Sequence, residues 1–355
     1  MKKVYVYVTI ILLTFKSIVA FSQKNPKYTY VGVEVSASSV NMVFLNIYSK
    51  GNGEFYYRIF SDSTFNIPVI DFSESTLTEA KTLINKLIVY STVTKEIPEE
   101  NITIVINSGV AIEAKRKNQE EVLSNFIFDI STNAKNPVIT LTAEMEAEYS
   151  FVSSIIEKFR KEALMLNIDG ANTKGGIYID KQLKEFSPFS IKWGINSLKN
   201  AIPDNPSIVN YNKNIQKSLQ QISDEITTNL HSEEAILKQS YCILGGDLAW
   251  MVSVLLKPDN IDNDLYQEFS KAQIKSLKES VSSNFENFLF TGNAKTIEGQ
   301  SDLEKLKKKY DQKTLLVALN YLEKVVEIID KEKPKRFYLV RYNSMLACHV
   351  INYFF

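Results

Sequence analysis

Residues Ala163 to Asp180 read ALMLNIDGANTKGGIYID, and this stretch decides how the chain is interpreted. The apolar run Leu164 to Ile168 meets a turn-rich cluster of Asp169, Gly170, Asn172, Gly175 and Gly176, and the β-rich run Ile177 to Ile179 follows. Strand, tight turn and strand make a hairpin the expected structure. Small residues also let backbone N–H groups close around an anion, and Thr173 and Lys174 add a hydroxyl and an ammonium. The turn therefore reads either as a plain hairpin or as a phosphate loop.

A second copy of the pattern lies in the other half of the chain. Residues Tyr30 to Tyr48, YVGVEVSASSVNMVFLNIY, also run from an apolar strand through an acid or amide near its end, Glu34 here and Asn167 there. A short turn of Ser36, Ala37, Ser38 and Ser39 follows, then a β-branched run. Two such hairpins imply a duplicated α/β architecture with a ligand held in the cleft between the copies.

The 355 residues are enough for two domains with substantial cores, and 45% hydrophobic with 23% charged residues is an ordinary globular balance. At the N-terminus Lys2 and Lys3 precede the apolar run Val4 to Phe15, and Ala20-Phe21-Ser22 has small residues where a leader is cut, before Gln23. Lys16 interrupts the run, which is short of the roughly 20 apolar residues a membrane span needs. A signal peptide over 1–22 and a periplasmic or secreted protein are expected, without membrane insertion after cleavage. Basic and acidic residues both number 41, so losing Lys2, Lys3 and Lys16 would leave a slightly acidic chain. That balance gives no field for nucleic acid.

Leu77 to Tyr90 carries helical spacing, Asn101 to Ile106 reads as a buried strand, and Ser108 to Phe128 as helix in two pieces. Glu54 to Phe60 reads as a strand, and Ser61 to Ser73 as mostly loop. Pro137 to Leu141 is an expected strand and Ala143 to Arg160 an expected helix. Its early Glu144, Glu146 and Glu148 suit the helix N-terminus electrostatically, or one of them faces the cleft as a base. Leu265 to Tyr310 reads as mostly helical. Gly245 and Gly246 stand at a strand-to-helix junction, where a ligand or tight packing can approach the backbone. Lys115, Arg116 and Lys117 read as a solvated face. Cys242 and Cys348 read as packed thiols rather than a bridge, and His231 and His349 lack zinc-ligand spacing.

The order of these motifs resembles the exopolyphosphatase and guanosine pentaphosphate phosphohydrolase family, of the actin-like ATPase superfold. The segments concerned are VEVSASSV (Val33 to Val40), INSGVAIEAK (Ile106 to Lys115), ITLTAEMEA (Ile139 to Ala147), LNIDGANTK (Leu166 to Lys174), FSIKWGINSL (Phe189 to Leu198) and ILGGDLAWM (Ile243 to Met251). The resemblance implies two ribonuclease-H-like domains flanking a cleft, with extra helices in the second. It places domain I at 23–147, domain II at 148–340, and a returning C-terminal helix at 341–355.

By the same resemblance Glu146 is the base for the attacking water. Glu34 and Asn167 would hold Mg²⁺ or Mn²⁺, with Asp169 supplying the missing acid in an alternative register, and Ser36, Ala37, Ser38, Ser39, Gly170, Ala171, Asn172, Thr173, Lys174, Gly245 and Gly246 would bind phosphate. Three departures weaken the metal site: Glu34 stands for an aspartate, neutral Asn167 for another, and Lys174 for a glutamate. Ser36 replaces a glycine, costly if that position requires positive φ. Mg²⁺ demands near-octahedral oxygen ligands, so the cofactor is in doubt. The expected function is exported hydrolysis of terminal phosphate from polyphosphate or a related chain. The alternatives are a degenerate phosphate- or nucleotide-binding protein and a structural, partner-binding use of the fold. A phosphorylated small molecule is the expected partner, and a homodimer is allowed.

Overall fold

The computed structural model describes residues 28–49, 55–180, 182–230, 234–259, 266–289, 293–331, 333–341 and 345–355. The expected leader and His231 lie outside these residues. Five strands form a first sheet: β1 (Tyr28–Val35), β2 (Ser39–Ser49), β3 (Phe55–Asn66), β4 (Ile102–Ile106) and β5 (Val138–Thr140). A second contains β6 (Ala163–Ile168), β7 (Thr173–Tyr178), β8 (Phe186–Ile191), β9 (Tyr241–Gly245), β10 (Gln267–Phe269) and β11 (Arg336–Leu339). The sheet orders are β3-β2-β1-β4-β5 and β10-β11-β9-β6-β7-β8. Each begins as an antiparallel meander of three strands, and its first strand then pairs in parallel with one reached through helices. The second sheet repeats the first and adds β10, antiparallel at its edge.

β1, β4 and β6 are buried along most or all of their length, as central strands covered on both faces are. Around the first sheet, Val31, Val33 and Ile104 pack with Ile84 and Ile130 from the helices Glu74–Val89 and Glu120–Ser131. The larger core of the second half packs Leu164, Leu166 and Leu244 with the helices Ile208–Leu230, Gly246–Leu256, Lys271–Ser283 and Gln312–Ile329. The helix Met345–Phe354 returns to the first half, where Ala347 and Val350 meet Tyr30, Leu45 and Ile47. Gly32 on β1 permits that approach: a Cβ there would stand 2.8 Å from Val350 Cγ2.

Four boundaries differ from expectation. β3 continues through Ser61–Asn66, which reads as loop because an edge strand turns its polar side chains to solvent. The expected Ala143 to Arg160 helix stops at Ser154, where Arg160 caps the end by donating to Val152 O and Ile155 O. β10 interrupts the expected helical stretch from Leu265. Gly175 and Gly176 belong to β7, not to the turn. They are needed because β7 is sandwiched tightly: a Cβ on Gly175 would lie 2.0 Å from Met165 O, and one on Gly176 would strike the Phe186 ring.

Candidate functional site at the cleft

The last paired residues are Val35 with Val40 in the first hairpin and Ile168 with Thr173 in the second, so each pairing encloses four residues, Ser36–Ser39 and Asp169–Asn172. Glu34 pairs across its hairpin with Asn41, and Asn167 with Lys174. Equivalent bonds close the two turns, Ser36 N donating to Ser39 O (2.8 Å) and Asp169 N to Asn172 O (3.1 Å). The duplication thus reaches single residues, and it puts Lys174 on a strand with its side chain wholly buried.

Glu146 lies in the first turns of the helix Ala143–Ser154, whose start is capped by Thr142. Of the three early glutamates, Glu144 is exposed and Glu148 half-buried, whereas Glu146 is completely buried. Its Oε1 accepts from Ser108 N at 2.6 Å, and its Oε2 accepts from Ser108 Oγ at 2.8 Å and from Lys174 Nζ. Lys174 Nζ also pairs with Asp169 Oδ2 at 2.9 Å. Burial alone would lower the lysine's proton affinity, but Glu146 and Asp169 reverse this and hold it protonated. Burial pushes the Glu146 carboxyl up, against the pull of Lys174 and the two Ser108 donors. Asn172 Nδ2 donates to Ser108 Oγ (3.3 Å), while its Oδ1 is buried without a partner. Ser108 follows β4 of the first sheet, Lys174, Asp169 and Asn172 come from the β6–β7 hairpin of the second, and Glu146 comes from a helix that packs on β7 and β8.

Glu34 faces the same centre. Its oxygens accept from Asn107 Nδ2 (2.9 Å) and Asn41 Nδ2 (3.1 Å). Burial, then the nearby Glu146, push its carboxyl up to about 7. Ser36 does not have positive φ, so the serine is unstrained there. The Ser36 and Ser39 hydroxyls are 2.8 Å apart and bond each other, Ala37 is buried, and Ser38 is half-buried. In the second loop Gly170 abuts Asn196 and Asp247, Ala171 packs against Gly109, and Thr173 Oγ1 donates to Trp193 O (2.8 Å). Gly245 and Gly246 stand against Asn167 and Asp169. Gly246 has φ +78°, and a Cβ on it would lie 2.4 Å from Asp169 Oδ1. Close packing accounts for that glycine.

Sequence reasoning did not single out Asn107, Ser108, Asp247 or Lys309. Asn107 and Ser108 carry a legible signal, a polar pair between a buried strand and a helix, where an N-cap belongs. Asp247 N donates to Asp169 Oδ1 (3.3 Å), and Asp247 Oδ1 pairs with Lys309 at 2.9 Å. Lys309 arrives from the helix Ile297–Lys309, and nothing local in its sequence marks it. Of the basic cluster, Arg116 pairs with Glu113 and covers the Trp193 ring at 5.3 Å, and Lys117 donates to Ile70 O. Cys242 and Cys348 are free buried thiols.

The residues named for a divalent cation do not fit one as they stand. Asn167 Nδ2 donates to Asp169 Oδ2 (3.0 Å), the Lys174 ammonium occupies Asp169 and Glu146, and Glu34 is held by two amides. Among the described residues no group of three or more His, Cys, Asp or Glu could hold a metal.

Two halves of matching strand order, meeting at a buried polar centre, give the chain a two-domain actin-like α/β fold. No family model and no curated protein matches the sequence. Solved structures do. An Aquifex aeolicus member of the Ppx/GppA protein family matches with a TM-score of 0.64 and 12% identity, over 92% of this chain and 97% of that one. An exopolyphosphatase-like protein matches with a TM-score of 0.66 and 13% identity, over 93% and 98%. An exopolyphosphatase from Cytophaga hutchinsonii matches with a TM-score of 0.58 and 13% identity, over 90% and 98%. The family whose six motifs the sequence resembles therefore shares this chain's fold along nearly its whole length.

Proposed function

We propose that this chain binds the end of a phosphate chain, such as polyphosphate, in the cleft of an exopolyphosphatase-type fold, and that hydrolysis is held back at its centre. Support for the substrate class comes from the fold and from the paired turns beside Glu146; the fold part is an analogy with the solved structures. The observation that carries the reading is the Ser108–Glu146–Lys174 arrangement. The resemblance makes Glu146 the water-orienting base, yet one of its oxygens is engaged by an ammonium. An entering phosphate competes with Glu146 for Lys174, and only as the ammonium moves to phosphate does the carboxylate become free to accept a proton from water.

Glu146→Gln separates binding from turnover. Removing the competitor for Lys174 is worth about 1.5–3 kcal/mol, roughly a 10- to 100-fold gain in tripolyphosphate affinity by calorimetry. Any slow phosphate release by the wild type should disappear in the variant. Unchanged or weaker binding would refute the competition, and no binding of tripolyphosphate or long-chain polyphosphate by either protein would refute the phosphate reading. We further propose that the protein works outside the cytoplasm after cleavage before Gln23, on the strength of the basic and apolar leader pattern. N-terminal sequencing of the protein recovered from its source cells checks this.

A further inference from the structure

We propose that Lys174 is a built-in cation: its ammonium fills the point where the acids of this cleft would otherwise gather a divalent metal, and offers a phosphate chain a positive charge that needs no metal. The inference rests on the phosphate reading above. Glu146 from the helix Ala143–Ser154, wholly buried, and Asp169 from the turn after β6, partly buried, meet on one ammonium. Converging buried carboxylates require a positive charge, a proton or both. The chain supplies that charge from β7.

The ammonium is fixed as a bound ion would be. Its stem is wholly buried on a strand, and two carboxylates from different elements, a helix and a turn, share it. An ammonium has three N–H donors and no acceptor. Among the described residues, Glu146 and Asp169 take two of them, so an entering anion oxygen can meet the third before it displaces Glu146, with Asp169 still holding the ammonium. The same two carboxylates would be needed by a metal, and the opposing strand position, Asn167, offers an amide in place of a third charge. Lys174 and a divalent cation are therefore mutually exclusive here, and chelators have nothing to remove.

Thermal unfolding of the full chain with Mn²⁺ or EDTA, and calorimetry with tripolyphosphate, test this against Lys174→Glu and Lys174→Gln. Wild-type melting should not move with Mn²⁺ or EDTA, and its tripolyphosphate affinity should be the same with and without EDTA. Both variants leave the acids without their ammonium, so both should gain a saturable stabilisation by Mn²⁺ of several degrees. Lys174→Gln, which adds no charge, carries the test if Lys174→Glu fails to fold. A saturable Mn²⁺ stabilisation of the wild type that Glu146→Gln removes would overturn the proposal, as would the absence of any Mn²⁺ effect on Lys174→Gln. Metal results as expected with no tripolyphosphate binding would refute the phosphate reading instead.

Discussion

The Glu146–Lys174 pair can be weighed by a double-mutant cycle. Lys174→Met keeps much of the stem's volume but leaves Glu146, wholly buried, with only the Ser108 donors. Removing one partner of a buried ion pair typically costs about 3–5 kcal/mol. Glu146→Gln is milder, because its amide oxygen still accepts from Ser108 N and Lys174 retains Asp169; about 1–3 kcal/mol is expected for the disturbed hydrogen bonds. With both changes together no uncompensated Glu146 charge remains, and neutral replacement of buried pairs is often harmless. The double variant should therefore be more stable than Lys174→Met alone, by about 2 kcal/mol. Urea unfolding followed by far-UV circular dichroism and by the fluorescence of Trp193 and Trp250 gives the midpoints. Single-variant losses that simply add, within about 0.5 kcal/mol, would show that the two side chains do not depend on each other and would remove the basis of the site described above.

Glu34 gives a pH signature. Its folded value, about 7, lies above its ordinary 4.5, so the folded chain binds the extra proton. Its contribution to stability is complete below about 4.5 and is lost as pH rises through about 7, and Glu34→Gln should flatten that fall in urea midpoints. Gly175→Ala should lower the melting temperature markedly, because the new methyl meets the backbone oxygen of Met165 rather than a yielding side chain; a neutral result would contradict the described packing of β6 and β7. Cys242 and Cys348 should both resist a thiol reagent in the native protein and both react in denaturant without a reductant, whereas a thiol count of zero would reveal a bridge.

The hairpins and their duplication were legible because strand, turn and strand leave a local imprint, and the turn positions coincide in the two halves. The order of the six motifs extended this to the whole fold. Exposed polar β3 residues and the short β10 left no comparable imprint, since pairing with a neighbour decides those strands and sequence alternation does not. At the site, Glu146 could be named by resemblance, but spacing alone could not set it apart from Glu144 and Glu148; what sets its surroundings apart is burial against Ser108. Lys174 was named from its turn as a candidate phosphate ligand and from the family pattern as a departure. Its use as partner of Glu146 is a contact across 28 positions, which the local hairpin pattern does not encode. Lys309 reaches Asp247 across 62 positions, and no local pattern could place it there.

The seat of the helix Met345–Phe354 bears on how the molecule is assembled. β1 and β2 leave the ribosome some three hundred residues before the helix that covers Tyr30, Leu45 and Ile47. Domains commonly fold as units, earliest-made first. Here the earliest-made sheet has one face that stays uncovered until the second half has been synthesised, and Gly32 holds the groove in which Val350 will rest. The first half therefore folds to completion only as the whole chain closes. Contacts this distant in sequence slow folding.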